Sequence, residues 1–192
     1  MNLQKWIAAD HAQVENRLHN NVLTRVPQEL WSAAPPGGGS SIAWLLFHMT
    51  YHQDLALNTA VRNQTPLLGD HRADVGLVEF ATDVGLQEAE NTAATKALQL
   101  DALLRYRRAV QERSAAWIAS LSVMALDSVP NTHWRLEHKA GISPTDLDWL
   151  YAMWNDKPVS WFVQWECVGH GHAHVGEMTG IRARLAPAEP KR

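Results

Sequence analysis

Two pairs of histidines, each spaced four residues apart among apolar residues at helical spacing, constrain this chain more than any other feature. His170 and His174 fall in the run Gly169-His170-Gly171-His172-Ala173-His174-Val175-Gly176-Glu177, and His48 and His52 lie in a second, strongly apolar segment. Helix residues four apart share a face, about 5–6 Å apart at Cβ. Imidazoles so placed can converge on one ion at about 2.0–2.1 Å each. Four of the ten histidines fall into these pairs, which points to a metal held between two helices. A strand would instead put His170, His172 and His174 on one side. The flanking Trp161, Trp165, Val168, Val175, Met178, Ile181 and Leu185 recur at steps of three, four or seven, which is helical, and strict alternation is absent. On that helix His172 lies about 200° from His170 and is not expected to be a ligand. Gly169, Gly171, Gly176 and Gly180 each cost a helix up to about 1 kcal/mol relative to Ala. Their use is close approach of a neighbouring helix or a ligand.

The rest of the chain supplies helices for such a site. Leu3, Trp6, Ile7, Val14, Leu18 and Val22 make the stripe of a first helix from residue 2 to about 26, ended near Pro27. After the break at Pro35-Pro36-Gly37-Gly38-Gly39, Ser40 or Ser41 caps a second helix running to about 63 and apolar almost all round from Ile42 to Met49. Residues 64 to about 94 read as a long crossover with short helical turns. A third helix spans about 95–121. Ser143-Pro144-Thr145-Asp146 is a helix start that opens a short helix, Leu147 to Trp154. A last long helix covers about 158–185, and residues 186–192 form a frayed tail. The expected fold is all-α: one domain over 1–192, a four-helix bundle with long crossover connections and a short extra helix before the last long one. Such bundles build metal sites from inward side chains of facing helices.

Composition narrows the function. With 192 residues, 46% apolar, 19% charged and a formal charge of −3, the chain reads as a globular domain with one core and no basic face for nucleic acid. Arg105, Arg107, Arg108 and Arg113 spread around their helix as a solvated face. Cys167 is the only cysteine, so no intrachain disulfide can form. No apolar run approaches a membrane span and no export signal is visible, so the cytoplasm is the expected location. Trp161, Val168 and Val175 recur every seven residues opposite the histidine pair, which predicts burial of that side by the bundle itself or by a second copy in a homodimer.

Two segments together resemble the DinB/YfiT-like family of metalloenzymes. Ser41-Ile42-Ala43-Trp44-Leu45-Leu46-Phe47-His48 is similar to that family's second-helix pattern of a Ser/Thr-Ile opening, apolar residues and a His. His170-x-x-x-His174-x-Gly176-Glu177 is similar to its fourth-helix His-x-x-x-His-x-Gly-Gln pattern. The resemblance covers nearly the whole chain. It implies a divalent metal, typically zinc or nickel, held by His48, His170 and His174. It also implies kinship with transferases and isomerases that use a low-molecular-weight thiol such as mycothiol or bacillithiol. Glu177 stands where the family has Gln, and a carboxylate there can alter the metal's charge balance or the substrate.

Other residues gather around these three. His52, one turn beyond His48, reads as a partner behind the ligands, a fourth ligand or a buried polar group. Glu166 and Glu177 fall within about 40° of the His170 direction; each can orient an imidazole, act as a base, or be a solvated charge. Cys167, at about 60°, reads as a buried inert thiol rather than a ligand or nucleophile. Trp149, Tyr151, Trp154 and Asn155 can roof the site over a small-molecule substrate or simply pack. Three neutral imidazoles leave an ion dipositive with positions open. Such an ion can activate a thiol or a water. The chain is therefore expected to be a thiol transferase, a metal-dependent hydrolase or a non-catalytic metal-binding module.

Overall fold

The computed structural model describes residues 2–185 and is helical throughout, with no strand among the described residues. The expected tail 186–192 lies outside them. In chain order the α-helices are α1 (Leu3–Leu18), α2 (Ile42–Asp54), α3 (Leu68–His71), α4 (Thr92–Ala97), α5 (Leu100–Ser120), α6 (Thr132–Ala140), α7 (Asp148–Trp154), α8 (Val159–Phe162) and α9 (His170–Leu185). Three wider, π-helical segments extend them: His19–Leu23 after α1, Leu55–Val61 after α2, and Val163–Gly169 joining α8 to α9. Among the described residues, no helix is long and apolar enough to cross a membrane.

Helix α2 forms the centre. Ser41 caps it, its Oγ accepting the Trp44 backbone N–H at 3.2 Å, and every residue from Ile42 to Asp54 is buried. It packs on both α5 and α9, and α1 packs on the same two helices. Each buried Leu, Ile or Phe contributes about 1.5–3 kcal/mol, so a helix apolar all round is stable only where neighbours cover all its sides. At its far end the buried Asp54 carboxylate accepts hydrogen bonds from Asn58, Tyr106 and the Leu67 and Leu68 backbone. That node fixes the start of the crossover and ties α2 to α5. Between α1, α2 and α5 lies a polar layer in which Gln53 bridges His11, Gln111 and Ser114, while Arg107 meets Thr50 and Glu15.

Several boundaries differ from expectation. The third long helix is broken at Leu98, whose ψ of 124° is not helical, so α4 and α5 are separate. Ser143 caps a turn rather than α7: its Oγ accepts from the Thr145 N–H, and the helix starts at Asp148 without a side-chain cap from Leu147. Helix α6 lies in what reads as a plain connection. Of the glycines in the last helix, Gly171 does serve close approach, since a Cβ there would press into Val14 of α1; Gly176 and Gly180 face open space. Val175 is buried within its own chain, while Trp161 and Val168 are half-buried.

Candidate metal centre

Helices α2 and α9 pack so that three imidazoles point at one another. His170 Nε2 lies 3.2 Å from His48 Nε2 and 2.8 Å from His174 Nε2. All three rings are buried. Nitrogens each about 2.0–2.1 Å from a common ion stand about 3 Å apart, so the spacing fits a divalent cation.

The outer nitrogens show how that orientation is held. His48 Nδ1 donates to the Gly85 carbonyl at 2.8 Å, and His174 Nδ1 donates to Glu177 Oε2 at 3.1 Å. His170 Nδ1 faces Glu166 Oε2 at 3.6 Å, too long for a good hydrogen bond. His48 and His174 therefore each have an acceptor behind the ring, the arrangement that fixes a ligating imidazole in the tautomer with Nε2 unprotonated. Burial, followed by the neighbouring imidazoles, pushes the His48 pKa down to about 2 and lowers that of His170 as well. Both rings are thus neutral and able to ligate at ordinary pH.

Glu166 occupies the second layer. It is 2% exposed, its Oε1 accepts from Trp154 Nε1 at 2.8 Å, and its Oε2 lies 3.4 Å from His52 Nδ1. Burial lowers the His52 pKa, but Glu166 beside it outweighs burial and the net shift is upward. His52 Nε2 donates to the Leu86 carbonyl at 3.0 Å, so His52 stands behind the three converging rings. His52, Glu166 and His170 form a second group whose donor atoms lie close together. The Nδ1 atoms of both histidines and Glu166 Oε2 lack a hydrogen-bond partner.

The remaining expected residues divide. Trp149 stacks near His52, ring centroids 6.2 Å apart, and Trp154 stands edge-on to it at 6.3 Å, so both wall the centre. Tyr151 is turned elsewhere, its hydroxyl donating to the Ile142 carbonyl, and exposed Asn155 bonds Asp156. Helix α7 shows one face to the site, and these two residues lie off that face. His172 also lies off the convergence, with Arg17 and Asp10 as its charged neighbours. Cys167 is buried and joins neither donor group; burial, then Glu166, pushes its thiol pKa well up.

Two elements of the site have no counterpart in the sequence reading. One is the strap Gly85–Leu86, whose carbonyls hold both α2 histidines. The other is Glu88, whose Oε1 lies 3.9 Å from His48 Nε2 and which groups with His48, His170 and His174. Neither has a local signal, because both sit in an irregular crossover and act across more than 30 residues.

Comparison with known proteins fits this geometry. The family described as the DinB superfamily matches residues 11–178, which include both helices of the centre and the strap. No curated protein matches the chain.

Proposed function

The chain belongs to the DinB superfamily, and from that premise we propose that it is a metal-dependent transferase that activates a low-molecular-weight thiol, of the mycothiol or bacillithiol kind, toward an electrophile. The observation that carries this reading is the convergence of three buried imidazole nitrogens, two of them with an acceptor behind the ring. Imidazole donors suit zinc or nickel. When bound, such an ion supplies Lewis acidity that stabilises a thiol as its reactive thiolate near neutral pH.

The chain's own residues do the rest. His48, His170 and His174 hold the ion. Gly85 and Glu177 fix the His48 and His174 rings, and Glu166 stands behind His170 and His52, so the two glutamates act here from behind the ligands. Trp149 and Trp154 exclude water from the inner side. Cys167 is buried with its thiol pKa raised, so the protein offers no accessible cysteine and the nucleophile has to arrive with a substrate.

The test is metal content followed by turnover. His170→Ala and His174→Ala should lose the metal, while His172→Ala keeps it; unchanged metal content in His170→Ala removes the assignment. Conjugation of a bacterial thiol to a model electrophile should need the metal, vanish in His174→Ala and survive Cys167→Ser. A metal-loaded protein that neither binds such thiols nor accelerates their conjugation is not a transferase. Ester or amide hydrolysis by that preparation would make water the nucleophile, and silence in both assays would leave a metal-binding module.

A further inference from the structure

We propose that Glu88 supplies a fourth, displaceable donor to the metal centre, reaching it from the crossover rather than from a long helix. The inference rests on the metal-binding reading above. Two hydrogen bonds fix the path of the strap: His48 Nδ1 donates to the Gly85 carbonyl and His52 Nε2 to the Leu86 carbonyl. Lifting the strap would leave two buried imidazoles unpaired, so its position is set by the same residues that build the site. Two positions further on, the chain delivers the Glu88 carboxylate to 3.9 Å from His48 Nε2. One of its oxygens and the ligand atoms of His48, His170 and His174 all lie within 4.8 Å of one another.

The other nearby carboxylates are committed elsewhere. Glu177 accepts from the outer nitrogen of His174. Glu166 sits on the outer side of His170 and accepts from Trp154. Among the described residues, Glu88 is the carboxylate that groups with all three converging rings. A carboxylate oxygen is an ordinary partner for imidazole ligands around zinc, at about 2.0–2.2 Å.

Exposure argues for a donor that comes and goes. The three imidazole side chains are at most 7% exposed, whereas the Glu88 side chain is 76% exposed. The rings are held by packing, and the exposed Glu88 side chain is not. Charge adds selectivity. Three neutral imidazoles leave a divalent ion dipositive, and the carboxylate removes one unit of that charge. An incoming anionic donor that displaces Glu88 restores the same balance, and a neutral donor does not. The position is thereby biased toward anionic ligands.

Cobalt(II) titration of the full chain, followed by its visible absorption, tests this. Glu88→Gln keeps the size of an exposed side chain and removes its charge. It should still bind cobalt through the histidines, with affinity at least about tenfold weaker and with an altered band shape and intensity. Azide should bind the cobalt-loaded Glu88→Gln protein more tightly than the unaltered one, since it no longer displaces a carboxylate. Superimposable spectra with equal cobalt and azide affinities would overturn the proposal. His170→Ala separates the two readings: if it binds cobalt as well as the unaltered chain, the three-histidine site itself fails. If it does not, and Glu88→Gln is indistinguishable from the unaltered chain, Glu88 alone is excluded.

Discussion

Gly85 carries more of the candidate metal centre than its lack of a side chain suggests. Its φ of +95° is a conformation that L side chains rarely adopt. A Cβ there would overlap the Phe47 ring, which is itself stacked on Tyr51. Gly85→Ala must therefore push the strap away from α2 and withdraw the carbonyl from His48. We expect metal affinity to fall by about 10–100-fold, as when other outer partners of ligating histidines are lost, with a lower melting temperature. Unaltered zinc binding would show that the strap merely covers the site. His11, which belongs to neither donor group, gives a prediction of a different kind. It is buried and its Nε2 accepts from Gln53 at 3.0 Å, a role open only to the neutral ring. Burial lowers its pKa below the ordinary 6.5. Below about pH 6.5 the unfolded chain therefore takes up a proton that the folded chain refuses, and stability falls as pH drops, by up to about 1.4 kcal/mol per pH unit for this group. Above that pH His11 adds no dependence. Denaturant unfolding from pH 8 to 5 should show His11→Asn with a shallower acid loss than the unaltered protein; parallel curves would exclude the assignment.

Among elements, those with a strong local pattern were legible and those fixed by distant partners were not. Helix α2 follows from its unbroken apolar run and serine cap, and α9 from apolar steps of three, four and seven. Those steps do not distinguish an α-turn from a wider π-turn, so the segment Val163–Gly169 was invisible. Helix α6 escaped because only Thr132, Leu136 and Ala140 of its nine residues are buried. One buried residue per turn is too narrow a stripe to see, although the Asn131 cap and the left-handed Gly141 at its end were readable signals. The start of α2 shows a local signal reinforced from afar. Ser41 caps the helix, and its own N–H and hydroxyl are bound by the Glu90 carboxylate at 2.6 and 3.0 Å. A negative charge at a helix N-terminus is favourable. Ser41→Ala keeps the backbone contact and loses both hydroxyl bonds, so it should cost on the order of 1–2 kcal/mol, read as a lower denaturant midpoint. A loss within error would mean that water replaces the cap.

At the scale of the molecule, the site joins elements far apart in sequence: two histidines on α9, one on α2, and the strap and Glu88 from the crossover. The histidines were legible because four-residue spacing is a local property of one helix. The strap was not, since it is defined by where a loop crosses a helix already folded. This architecture also sets what metal removal does. The core spans α1, α2, α5, α7 and α9 without any contribution from an ion, so the apo chain should stay folded with the same helical circular dichroism, unlike small domains whose folding free energy is supplied by a metal. An ion that binds only the folded state stabilises it by RT ln(1 + [M]/Kd), about 2.7 kcal/mol at 100 times Kd. For a chain of 192 residues each kcal/mol raises the melting temperature by about 2–4 °C. Saturating zinc or nickel should thus raise it by about 5–11 °C, a chelator should reverse the shift, and His170→Ala should not respond. An apo chain that unfolds on chelation would show that the core depends on the ion. An equal rise in His170→Ala would place the stabilising ion at some other site.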